Sequence, residues 1–327
     1  MKKPKSVTSE LQELESLSSL ADSQDAVGPL RRALASRSSS MISRAASLAA
    51  RFHVREVEPD LQTAFDHFLG KGAGSDNLCS AKIAVVKALR ALNSEGKDLY
   101  VRGMQHYWPA RPRQGQRDQA ATLRIVCADA LTEVGHLELL TYLIDLLADP
   151  TPGVRVAAAL ALGSTGEREA TLLLRLKALS VDESPEVLEA CFTALLSLEA
   201  AAAVPFIGRF LVAEDEKVKM TAALALGQSE HQDALDLLTA CWNRQTTQDS
   251  RSDLLVAIAL LRYPRAIEFL VSLVDGGEDD AENALRALAT FRADPQVLRR
   301  VELAIDRTND PLLRRSFEAK FRRTPLA

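Results

Sequence analysis

The feature that most constrains this chain is a motif that returns at near-constant spacing. Asp149-Pro-Thr-Pro-Gly-Val154-Arg-Val-Ala-Ala-Ala-Leu160-Ala161-Leu162-Gly163 comes back as Asp215-Glu-Lys-Val218-Lys-Met-Thr-Ala-Ala-Leu224-Ala225-Leu226-Gly227. Between them Glu183-Ser-Pro-Glu-Val187 is followed by Ala194 and Leu195 at the matching offsets. The anchor valines are 33 and then 31 residues apart. Internal periods of this length mark stacked supersecondary units, which grow by adding repeats instead of enlarging one core.

A small–Leu pair seven and eight residues after each anchor extends the frame. It places anchors at Leu123 before Val154, and at Ser252, Asp280 and Leu312 after Val218. Steps from Leu123 are then 31, 33, 31, 34, 28 and 32. Weaker members start at Ile42 and Ala81, with longer steps of 39 and 42 that imply insertions. The count is about nine units.

Each unit holds two helical patterns. The first places large apolar residues at helical spacing, as in Leu139, Leu140, Leu143, Leu146 and Leu147, or Phe206, Ile207, Phe210 and Leu211. The second is the anchored, alanine-rich segment. Asp149-Pro150, Asp182, Ser184-Pro185 and Asp310-Pro311 punctuate the two. Pro185 suits a first helical turn, where its missing N–H has no intrahelical acceptor anyway. Gly163 and Gly227 are expected just past the second helix, as left-handed caps. Ala157, Ala158 and Ala161 let neighbouring helices approach closely, and Leu160 and Leu162 are expected to fill the shared core.

The segment Asp149 to Gly163 resembles the HEAT-like repeat consensus of bacterial repeat proteins, a repeat class also found in phycobilin lyases. The likeness runs from about Gly28 to Phe321. It implies an all-α, right-handed α-solenoid of about nine HEAT-like helix pairs, occupying 25–327 behind a polar tail or capping helix at 1–24. The tail carries one amphipathic turn at Leu11, Leu14 and Leu17. The resemblance speaks to fold and not to one activity.

Composition narrows the function. Formal charge is −4, so a uniformly basic nucleic-acid coat is excluded and only local patches remain. The longest uninterrupted apolar run is eight residues, Leu254 to Leu261. A membrane span needs about 20, so none is expected. Lys2, Lys3 and Lys5 precede no apolar stretch, so no secretory signal is expected either. Cys79, Cys127, Cys191 and Cys241 include no CxxC pair, which points to a reducing cytoplasm and away from a zinc site.

Irregularities carry the functional reading. The segment at about 93–120 interrupts the period and contains Tyr107-Trp108-Pro-Ala-Arg111-Pro-Arg113-Gln-Gly-Gln-Arg117. Two prolines and a glycine exclude helix there. From Lys97 to Arg117 five basic residues face one acid, net +4. One reading is a hook for an acidic protein surface or a nucleic acid, with Trp108, Arg111, Arg113 and Arg117 as partner-binding anchors. The other is an ordered insertion whose Trp108 packs on the edge of the stack. A second basic patch, Arg314, Arg315, Lys320, Arg322 and Arg323 against Glu318, reads as a phosphate-contacting face or a polar capping helix. Asp275, Glu278, Asp279, Asp280 and Glu282 read as solvated charge at a helix start.

No catalytic pattern stands out. None of His53, His67, His106, His136 and His231 is followed by Glu. The repeated His-Glu dipeptides of deoxyhypusine hydroxylases, a HEAT-repeat enzyme class, are therefore missing, and no metal or cofactor is expected. His106 and His136, 30 residues apart, are the one repeat-spaced pair. Gly70-Lys71-Gly72-Ala73-Gly74-Ser75 lacks the order of a phosphate-binding loop. Cys127 and Cys191 sit four residues after their anchors, where other units carry alanine, and are expected to be buried. The reading is a non-enzymatic protein-interaction scaffold. Nucleic-acid binding through the two basic patches and a phycobilin-lyase-like subunit are its alternatives.

Overall fold

A computed structural model describes residues 24–70, 72–108, 118–180, 182, 184–277 and 280–321. These are all-α, with no strand among the described residues, and form a helical-repeat solenoid. Contacts divide the chain into two compact units, Met1–Gly166 and Glu167–Ala327.

The first unit holds four helix pairs. The leading helices are α1 (Gln24–Leu34), α3 (Glu58–Leu69), α5 (Lys97–Met104) and α7 (Leu139–Leu147). Each precedes an anchored helix: α2 (Ser39–Arg51), α4 (Ser80–Ala91), α6 (Ala121–Val134) and α8 (Pro152–Ser164). The anchored helices pack in sequence, α2 on α4, α4 on α6 and α6 on α8.

The second unit begins with α9 (Arg168–Leu179) and α10 (Pro185–Gly208). The backbone of α10 breaks at Glu199, with φ −148° and ψ 68°, so its first part anchors the fifth pair and its second part leads the sixth. Then follow α11 (Glu216–Gln228), α12 (Asp233–Arg244), α13 (Gln248–Leu260), α14 (Pro264–Gly276), α15 (Ala281–Leu288), α16 (Pro295–Thr308) and α17 (Pro311–Phe321). Counting α10 twice gives nine pairs among the described residues.

The stretch Pro185–Val212 is long and apolar enough by length and composition to cross a membrane, which the search for uninterrupted apolar runs missed. The break at Glu199 turns it into two repeat helices, and Val187, Cys191, Phe192, Leu195, Val204 and Ile207 are buried in repeat cores.

Burial sharpens the repeat frame. In the well-anchored helices the anchor and the residues four, five, seven and eight later face the core, as at Leu123, Cys127, Ala128, Ala130 and Leu131, all 0% exposed. Leu162 and Leu226 are fully buried as expected. Three anchors move. The first is Met41, not Ile42, since Ala45, Ala46, Leu48 and Ala49 are its buried followers. The last is Leu313, not Leu312, which is 73% exposed. Ser252 gives way to Ser250, because the buried set of α13 includes Leu254, Leu255, Ala257 and Ile258. Steps of 34 and 28 thereby become 32 and 30. The run Leu254 to Leu261 is apolar on every side, so the small–large pair is satisfied at two offsets and periodicity alone cannot choose. The corrected frame also aligns a basic residue directly after six anchors: Lys82, Arg124, Arg155, Lys219, Arg251 and Arg314.

Two packing expectations fail. Leu160 is 46% exposed and takes no part in the core; it lies two residues before Leu162, about 200° round the helix. Gly163 and Gly227 are not caps but lie inside α8 and α11. A Cβ at Gly227 would overlap the carbonyl oxygen of Ala257 on α13. Glycine is required there by helix–helix approach and not by φ.

The acidic run is also engaged. Asp280 is 7% exposed and accepts from Arg251 Nε at 2.9 Å, while Arg251 lies 3.9 Å over the Trp242 ring. Glu282 pairs with Lys320 at 2.6 Å, and Asp275 with Arg307 at 3.3 Å. These acids join consecutive pairs of the second unit and are not simply solvated. Glu278 and Asp279 lie outside the described residues.

Candidate interaction surface

The extra length of segment 93–120 is concentrated after a helix. Residues Lys97–Met104 form α5, whose Leu99, Tyr100, Gly103 and Met104 are buried. A Cβ at Gly103 would overlap Cys127 Sγ, so α5 is seated directly on α6. The connection from α5 to α6 then runs over 105–120, against four residues between α7 and α8.

A buried arginine holds the two ends of this connection. Arg124, 0% exposed, donates through Nε and Nη2 to Asp149 at 2.9 and 3.1 Å. Its Nη2 pairs with Asp118 at 2.6 Å, and its Nη1 donates to the His106 carbonyl at 3.0 Å. The guanidinium lies 4.1 Å over the Tyr107 ring, and the Tyr107 hydroxyl donates to Asp149 at 3.2 Å. Burial by itself lowers the Arg124 pKa, but hydrogen bonds to Asp149 and Asp118 more than offset it, and the net shift is upward. Arg124 thus ties the entry of the connection (His106, Tyr107) to its exit (Asp118) and to the start of the next anchored helix (Asp149).

Sequence reasoning missed this centre. The signal was present as a basic residue directly after the anchor and an acid five residues before it, at Asp76 and Lys82, Asp118 and Arg124, and Asp149 and Arg155. Asp76 and Lys82 form a similar buried pair at 3.0 Å, with side chains 0% and 1% exposed.

Trp108 sits at the mouth of the connection. Its N–H donates to Asp118 at 3.2 Å and its carbonyl accepts from Gln119 at 2.9 Å. Its half-buried ring stacks on His106, with centroids 6.4 Å apart and planes at 14°. Arg111, Arg113 and Arg117 lie outside the described residues, so Trp108 is the one predicted anchor whose position is described. His106 and His136 are each engaged by an aromatic ring, Trp108 and Tyr142 respectively. No group of three or more metal-ligating side chains occurs among the described residues.

All four cysteines are buried and free, including Cys79 and Cys241, which the alanine slot did not cover. Burial raises every thiol pKa, that of Cys191 to about 12. A raised thiol pKa disfavours the thiolate, the nucleophilic form.

The side of the anchored helices turned away from the core differs between the units. Two and three residues after each anchor stand Ile83-Ala84 on α4, Ile125-Val126 on α6 and Val156-Ala157 on α8. All six are partly accessible, and Leu160 extends the patch from α8. The same slots in the second unit hold Glu189-Ala190, Met220-Thr221, Ser252-Asp253 and Glu282-Asn283. An apolar patch thus occurs on α4, α6 and α8, bordered by Ser43 and Arg44 on α2, by Lys87 on α4 and by the half-exposed Asp129 on α6.

Residues 114–176 and 172–259 match the family of HEAT repeats. Residues 114–259 are therefore HEAT repeats. Among solved structures, the chain is similar to the complex of CpcE and CpcF of phycocyanin lyase from Nostoc sp. PCC7120. There the identity is 20% and the TM-score 0.35, over 86% of this chain and 94% of that one. It is similar to human deoxyhypusine hydroxylase in complex with glycerol at 18% identity and TM-score 0.31, over 95% and 98%. An engineered protein matches at 15% identity and TM-score 0.38, over 95% and 87%. Likenesses this distant carry no argument about the activity of these HEAT-like repeats. No curated protein matches the chain.

Proposed function

We propose that this HEAT-like repeat protein is a non-enzymatic scaffold that binds another protein through the first unit. The observation that carries the reading is the open face of α4, α6 and α8, where six consecutive slot residues plus Leu160 are apolar and accessible. Contiguous exposed apolar surface on a folded domain marks an interaction site. The basic insertion adds charge selectivity for an acidic partner, with Trp108, Arg111, Arg113 and Arg117 as its anchors. A protein fits better than a nucleic acid, because Arg314 and Lys320 of the C-terminal patch are each paired with an acid, Asp306 and Glu282. Four free thiols fit a reducing cytoplasm.

Affinity capture tests this. Proteins retained by the wild type should be lost by Leu160→Glu, and weakened by alanine at Arg111, Arg113 and Arg117, while both variants melt like wild type. An identical set retained by all three proteins would refute the reading.

A further inference from the structure

Helix α9 opens the second unit and buries Ala170, Thr171, Leu174 and Ala178. Its opposite side carries Leu172, Leu176 and Leu179, which are 67%, 68% and 50% exposed. At about 100° per residue the three fall within about 60° of one another, and they span about 10 Å along the axis. The same slots hold Asp236, Ala240 and Asn243 on α12, and Glu268, Ser272 and Asp275 on α14. Three leucines on the solvent side of α9 are therefore not a requirement of the repeat.

Charge borders this seam unevenly. Arg168 and the half-buried Arg175 lie along one flank. Arg175 sits 5.0 Å over the Phe206 ring, and the exposed Arg209 sits 5.8 Å over the same ring, so a third guanidinium extends that flank. None of the three joins an ion pair among the described residues. Glu169 and Leu173 lie along the other flank, and Lys177 beyond them pairs with Asp182 at 2.8 Å. Exposed apolar surface of this kind marks an interaction site, and steps of four and three residues make the seam that one helix offers to another. A bilayer of acidic lipids is anionic throughout and would meet Glu169 as well as the arginines. A second, antiparallel copy of α9 would set Arg168 and Arg175 against their own counterparts, and like charges opposed across an interface cost affinity. A separate helix can carry its acids on one flank alone.

We infer that the leucine seam of α9 binds an amphipathic helix of another protein, one with aliphatic residues at heptad spacing and carboxylates along the flank that meets Arg168, Arg175 and Arg209. Leu172, Leu176 and Leu179 supply the buried area. The arginines set the direction of the bound helix, because reversing it turns the acidic flank toward Glu169. This surface lies in the second unit and stands apart from the one proposed for the first, so the chain carries two separate binding surfaces.

Two synthetic three-heptad peptides serve as probes, both with leucine at heptad positions a and d, one with glutamate and one with lysine at e and g. Fluorescence anisotropy on the full chain should show the glutamate peptide binding roughly tenfold more tightly than the lysine peptide, since each exposed ion pair adds only a little. Leu176→Glu should abolish binding of the glutamate peptide, and Arg168→Glu/Arg209→Glu should reverse the preference. All three residues are exposed, and the arginine variant alters no apolar side chain, so it reads docking even where Leu176→Glu perturbs folding. Equal affinity for the two peptides, no binding of either, or binding indifferent to Leu176→Glu would overturn the inference. Flotation with phosphatidylserine–phosphatidylcholine vesicles that Leu176→Glu abolishes would overturn it in favour of a membrane. Sedimentation as a dimer that Leu176→Glu dissociates would overturn it in favour of a second copy. Leu160→Glu in the first unit should leave peptide binding at wild-type strength, so this test and partner capture by the first unit can fail independently.

Discussion

Arg124→Met removes the cation around which the first unit closes its insertion while keeping an unbranched apolar stem. The side chain is 0% exposed and serves Asp118, Asp149 and the His106 carbonyl at 2.6 to 3.1 Å. Without it two buried carboxylates lose their counter-charge, a loss that costs about 3–5 kcal/mol. Remaining partners keep the cost inside that range. Asp149 still accepts from the Thr151 N–H at 2.8 Å and the Tyr107 hydroxyl, and Asp118 from the N–H groups of Trp108 and Ala120. For a unit of this size each kcal/mol lowers the melting temperature by about 2–4 °C, so the expected drop is roughly 6–20 °C. Arg155→Met is the control. Arg155 occupies the same slot one pair later but is half-buried and donates to the carbonyls of Asp149 and Pro150. Its loss should cost less than that of Arg124, because a half-exposed side chain leaves its acceptors open to water. Thermal melts followed by far-ultraviolet circular dichroism compare the two. An Arg124→Met protein that melts no lower than Arg155→Met would refute the argument that this centre holds the unit together.

Gly227→Ala should destabilise by about 1–3 kcal/mol through overpacking, despite a helix-propensity gain of about 1 kcal/mol; a stabilised variant in urea titration would show that α11 and α13 do not approach as closely as described. Burial, with Lys82 as the next cause, depresses the His106 pKa below its ordinary 6.5. Stability from its neutral ring is therefore present above that ordinary value and is lost as pH falls through it toward the depressed folded value. Wild type should lose more urea resistance than His106→Phe between about pH 7.5 and pH 5, and parallel curves would refute the assignment.

The sequence by itself determined the repeat class, the nine helix pairs and the slots for small buried residues. The reason is periodic: a helix that must bury one stripe against two neighbours repeats its apolar spacing in every unit, and Val154, Val187 and Val218 display it directly. It also marked the α5–α6 connection as anomalous, because no neighbouring pair needs so long a link. Tertiary structure decided what periodicity leaves degenerate. Along Leu254 to Leu261 every residue is apolar, and only packing against α11 and α15 selects Ser250 as the anchor. Leu160 and Leu162 are the same residue type two positions apart, yet one is open and the other closed, since about 200° of helix rotation separates them. Gly227 looks like a cap until α13 is placed against it. Arg124 looks like any surface arginine in sequence, because its acceptors arrive from a loop 18 residues before it and a helix start 25 residues after it. Sequence patterns report each helix's own stripe; which groups meet across helices is set by the stack.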